Sequence, residues 1–136
     1  MSQIKNGLAA ISIALLTGCT FTTTKPKDPV FKDATAVKKE LVYLVDAEAI
    51  NLNGKEVTSN KETKTEVEIN IINGRNIPHN DEEKRVLGKS IAYSVKRNLQ
   101  NPADFQTYIV RFTTENKNGP VTNSSWKSMA FDGSEL

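Results

Sequence analysis

Two apolar periods follow one another between residues 65 and 100, and together they leave few folds open. From Thr65 to Ile72, Val67, Ile69 and Ile71 alternate with Glu66, Glu68 and Asn70. That is the period of a strand with one buried face and one wet face. Leu87, Ile91, Val95 and Leu99 then step by four along one face of a helix. Asn73-Gly74 supplies turn chemistry between the two. The helix start is marked as well: Pro78 precedes Asn80-Asp81-Glu82-Glu83, where Asn80 can cap and Glu83 stands three residues on. Three acidic residues at one end and Lys96-Arg97 towards the other suit the helix dipole. Gly88 and Ala92 would let the helix lie close to a sheet, and Asn101-Pro102 ends it. Two apolar faces of this kind must be buried, which predicts a helix over Glu82–Gln100 packed across a sheet.

The rest of the chain supplies the sheet. Gln106 to Thr114 reads as a strand, with Tyr108, Val110 and Phe112 on one face and Ile109 on the other. Glu115 to Pro120 is a turn with an Asn-Gly step, and Val121 to Phe131 returns as the partner strand carrying Trp126, Met129 and Phe131. Asp132 to Leu136 should fray. Ala34 to Leu52 admits two descriptions. Val37, Leu41, Leu44, Val45 and Ala49 lie at helical spacing behind Asp33 as a cap, whereas Leu41, Tyr43 and Val45 also alternate as in a strand. Helix is preferred, and Asn53-Gly54 could end either element. Lys55 to Lys64 is polar and reads as a loop with at most one short strand. The expected fold class is α+β: a small, mainly antiparallel sheet, one long helix across it and an additional N-terminal helix.

The N-terminus has its own pattern. Met1 to Gly7 is short and polar with Lys5, and Leu8 to Leu16 is apolar except for Ser12. These are the parts of a secretion signal. The apolar run is too short to span a bilayer, which takes about 20 residues. It ends in Leu16-Thr17-Gly18-Cys19, which resembles the lipobox of bacterial lipoproteins. The resemblance implies cleavage before Cys19 and a diacylglyceryl group on its thiol, with the new amino group usually acylated. It covers residues 1–19 alone. Thr20, by the sorting rule of enterobacterial lipoproteins, favours the outer membrane. Cys19 is the only cysteine, so lipidation also accounts for an otherwise unpaired thiol in a secreted chain. The expected division is a signal peptide at 1–18, a lipidated tether at 19–33 and one α+β domain at 34–136. Thr20 to Lys32, with Pro26 and Pro29, has no periodic face and reads as a disordered spacer reaching about 40 Å.

No catalytic constellation emerges. His79 is the only histidine and reads as a solvated residue beside a helix cap. Asp81-Glu82-Glu83 begin a helix instead of spreading over a calcium loop. Glu66 and Glu68 are the wet face of their strand, not a glycosidase pair. Zinc lacks ligands, and there is no phosphate loop and no nucleophile elbow. Asn123-Ser124-Ser125 matches a glycosylation pattern that means little in a bacterial envelope. Trp126, Tyr108 and Tyr93 would form a ligand patch if exposed, though core is the better expectation for large aromatics. With 18 basic and 16 acidic side chains, of which only Lys5 falls in the signal, the balance gives no reason to expect nucleic acid, and no polybasic run supplements the anchor. The expected protein is a non-enzymatic, lipid-anchored envelope protein without cofactor or metal, facing the periplasm from the outer membrane. It would be held by the lipid on Cys19. A binding or inhibitory module for an envelope protein or polymer is the alternative, and an enzyme of unfamiliar site a more distant one.

Overall fold

The computed structural model describes residues 21–136; the expected signal peptide at 1–18 and Cys19 lie outside them. In chain order the elements are β1 (Thr22–Pro26), α1 (Ala34–Val45), β2 (Ala49–Ser59), β3 (Glu62–Ile72), α2 (Asp81–Arg97), β4 (Thr107–Asn118) and β5 (Val121–Asp132). Single 3-10 turns follow α2 and β5, at Pro102–Asp104 and Gly133–Glu135.

Local chemistry sets the helix ends. The Asp33 carboxylate accepts from the N–H of Ala36 and starts α1; Asp46, at φ 43°, ends it with its N–H on the Val42 carbonyl. Asn80 caps α2 by accepting from the N–H groups of Glu82 and Glu83. The helical description of 34–52 therefore holds only as far as Val45. Ala49 to Leu52 open β2 instead, and Gly54 lies inside that strand rather than ending an element. The expected loop at 55–64 is a strand hairpin. Its turn is Asn60-Lys61, both residues at positive φ, and Ser59 faces Glu62 across it.

The strands form one sheet in the order β1-β2-β3-β4-β5. Every neighbouring pair is antiparallel except β3 and β4, which run parallel with α2 as the crossover between them. Both helices pack on one face. Val37, Leu41 and Val45 from α1 and Ile91, Ala92 and Val95 from α2 join Val67, Ile69, Ile71, Tyr108, Val110, Phe112 and Phe131 in one buried core. This is the expected α+β arrangement, with the 65–72 strand and the 87–99 helix face meeting as their periods require. Leu99 lies beyond the end of α2 yet is buried, bridged through its backbone to Phe31.

Two terminal expectations are corrected. Thr22–Pro26 is not spacer but an edge strand: Thr22 pairs with Ser59 and Pro26 with Lys55. Both of its faces are exposed, so it lacks the apolar period by which strands are usually found. At the other end, Asp132–Leu136 does not fray. Asp132 caps the turn by accepting from Ser134, and the Lys96 ammonium donates to the Gly133 and Leu136 carbonyls at 2.6 and 3.2 Å.

Candidate functional site

The helices cover one face of the sheet and leave the other open. On that open face strand alternation aligns Lys55 of β2, Glu66 and Glu68 of β3, Arg111 of β4 and Trp126 of β5. The Lys55 ammonium lies 3.6 Å from both glutamates, and Arg111 lies 3.2 Å from Glu68. The Arg111 guanidinium also covers the Trp126 ring, 5.8 Å from its centroid. Alongside the row, Thr113 donates to the Asn70 side chain at 2.6 Å. Glu66 and Glu68 are therefore on the wet face, as their alternation requires, and both are held by cations. Nothing places them across a gap from one another, as cleavage of a glycosidic bond would need.

On the helix side, beyond the end of β3, a groove of about 420 Å³ opens between the Gly74–His79 loop, the start of α2 and the β4–β5 hairpin. Ile71, Ile77 and Phe112 contribute apolar wall, and Arg75, His79, Lys84 and Lys127 bring basic nitrogen; Trp126 borders the groove from β5, but strand parity turns its ring to the open face over Arg111. Among the described residues no aspartate or glutamate lines it. Acidic partners stand at the rim instead: Asp81 pairs with Lys127 and Asp46 with Arg75. The hydrogen bond and charge of Lys127, helped by Lys84, hold the Asp81 carboxyl below its usual range.

Folding thus brings together residues that sequence reading treated separately. His79 is exposed beside the Asn80 cap, as expected, and now lines the groove that Trp126 borders. Among the described residues no cluster of His, Cys, Asp or Glu could hold a metal ion. No described helix is long and apolar enough to cross a membrane. The three aromatics divide: Tyr108 is fully buried, whereas Tyr93 and Trp126 are 51% and 62% exposed, which corrects the expectation that all three are core. A signal for Trp126 was present. Met129 and Phe131 have the opposite strand parity and point to the core, so Trp126 must point away from it. Arg111, Lys55 and Lys84 carried no such signal, because isolated cations on a strand or helix read as solvated face. Compared with protein-family models, curated proteins and solved structures, the chain matches none.

Proposed function

We propose that the protein is a lipid-anchored, non-enzymatic component of a bacterial envelope, and that its domain is a binding module for an anionic envelope protein or polymer. The anchor follows from Leu16-Thr17-Gly18-Cys19 behind an apolar run too short to span. The binding role rests on one observation: an exposed tryptophan beside a groove whose ionisable lining is entirely basic. The apolar wall and the tryptophan on the adjoining face give a partner area to bury, and Lys84, which unlike Arg75 and Lys127 is in no ion pair among the described residues, complements carboxylate or phosphate. Catalysis has less support, since His79 shares the groove with Thr114 and Ser125 but with no carboxylate to orient it.

The test is retention of envelope material by immobilised lipidated protein, compared among wild type, Trp126→Ala and Lys84→Glu. Each variant is expected to weaken retention by about tenfold or more, as loss of an interface anchor does, and added salt should weaken the wild type further. Equal retention by both variants and wild type would remove the groove from the proposal.

A further inference from the structure

The first described strand fixes which end of the domain would meet a membrane. Only Thr20 and Phe21 separate Cys19 from Thr22, and Thr22 is already paired with Ser59. Three residue steps reach about 10 Å at most, in place of the roughly 40 Å that a spacer through Lys32 would allow. Ser59 opens the Asn60-Lys61 turn, so this turn lies at the level where the chain leaves for Cys19.

The chemistry of that end suits a lipid surface. Phe21 is 81% exposed, and an aromatic ring gains by entering the headgroup boundary. Lys61 in the turn, Lys64 next to it and Lys25 three residues along β1 are exposed, against Glu62 as the exposed acid among them. The other charges there are spoken for: Lys27 pairs with Glu56, and Lys55 with Glu66. These lysines are scattered in sequence, which is why no basic run announces them; the hairpin and β1 gather them. Anionic headgroups attract cations held within a Debye length.

We propose that the domain stands on the bilayer by the β1 end of its sheet, with Phe21 at the interface and Lys25, Lys61 and Lys64 facing anionic headgroups; this rests on Cys19 carrying lipid. The strands then carry the groove away from the membrane. β3 runs from Glu62 to Ile72, and β4 continues from Thr113, opposite Ile72, to Asn118. At about 3.3 Å per residue, Trp126 stands roughly 30 Å and the Gly119-Pro120 turn roughly 50 Å from the seated end. A binding groove is thereby presented to the aqueous compartment and not to its own membrane.

Trp126 is the only tryptophan, so one fluorophore can be moved. Full-length lipidated protein is reconstituted in phosphatidylethanolamine–phosphatidylglycerol vesicles containing headgroup-nitroxide lipid, and intact mass is measured on the same sample. In wild type, Trp126 emission should be unaffected by nitroxide lipid and quenched by aqueous iodide. In Phe21→Trp/Trp126→Phe, emission should shift to the blue and fall as nitroxide lipid is added. Thr63→Trp/Trp126→Phe, beside the turn, should also be quenched by that lipid, and less so when uncharged phosphatidylcholine replaces phosphatidylglycerol. Lipid on Cys19 with neither relocated fluorophore quenched, or with Trp126 quenched as strongly as they are, overturns the seating and leaves the anchor standing. A chain bearing no lipid at Cys19 overturns the anchor and the seating with it.

Discussion

Lys61 occupies a backbone state that suits few side chains. Its φ is 68° and that of Asn60 is 51°, the pair of positive angles that a two-residue hairpin turn of the primed type requires. Asparagine tolerates that region, whereas a lysine there is strained by about 1 kcal/mol. Lys61→Gly creates the Asn-Gly pair this turn favours, and it is expected to raise stability by about 0.5–1 kcal/mol. The measurement is the urea midpoint, which should rise with no change in slope. Tyr108 is a second residue held in an unfavourable state. It is fully buried, and among the described residues its hydroxyl has no partner. Burial disfavours the phenolate and pushes its pKa from 10.0 up to about 12. The folded chain therefore keeps a proton that the unfolded chain gives up. This contribution is fully present below about pH 10 and is lost as pH rises through about 12. Tyr108→Phe removes the unpaired hydroxyl at nearly constant shape, so stability at pH 7 should stay the same or rise by about 1 kcal/mol. The variant should also lose Tyr108's share of the alkaline decline in Tm. A loss of stability at neutral pH would mean that the hydroxyl has a bonding partner.

Among the elements, β3 and α2 were legible because each has one fully buried face and one wet one, so period and burial coincide. β2 was not. Its apolar residues are confined to Ala49, Ile50, Leu52 and Val57, and Asn53-Gly54 in its middle reads as the end of an element. Gly54 shows why that reading fails. The chain leaving β1 crosses directly over it: the Lys27 N–H donates to the Gly54 carbonyl at 2.9 Å, and a Cβ at Gly54 would lie 1.9 Å from the Lys27 carbonyl oxygen. The glycine is needed for close backbone approach, not for a bend. Gly54→Ala must push the Lys27–Pro29 backbone away, and a loss of about 2–3 kcal/mol is expected, in the range of overpacked sites. Hydrogen exchange distinguishes the cause, because protection should drop first at β1 and the adjoining half of β2 while α2 and β4 keep theirs. An alanine variant as stable as wild type would show that this crossing can move freely. β1 itself was missed for the opposite reason: exposed on both faces, Thr22, Thr23 and Thr24 have no apolar period, and only their β-branched character hinted at a strand. The open-face row from Lys55 to Trp126 is assembled by register between strands distant in sequence, so it could not be read before the strand order was known.

At the scale of the whole molecule, the question is where the domain begins. The composition of residues 19–33 argues for a start at Ala34, but this stretch is fastened along its length in the structure from Thr22 onward. Beyond the β1 pairing, the Val30 N–H donates to the Asn101 side chain, Gln100 N–H to the Val30 carbonyl, and Lys32 N–H to the Asn98 carbonyl. Phe31 packs against the core beside Leu99. These contacts tie the N-terminal stretch to the end of α2 as well as to β2, so its removal affects both sides of the sheet. A chain beginning at Thr22 is therefore expected to unfold at the same temperature as the chain beginning at Cys19. One beginning at Asp33 keeps the α1 cap but loses Phe31 and the whole of β1, and should be less stable by at least about 2 kcal/mol, the order of one large buried apolar side chain. It should also change in association. Stripping β1 bares the β2 edge from Lys55 to Ser59, a row of unpaired backbone groups ready to pair with another chain. Size-exclusion chromatography over a range of concentrations should then show monomer for the longer chain and concentration-dependent oligomer for the shorter. Equal melting temperatures and equal elution for the two would mean that residues 22–32 hang free as a tether, and with that the short leash on which the proposed membrane seating depends would be gone.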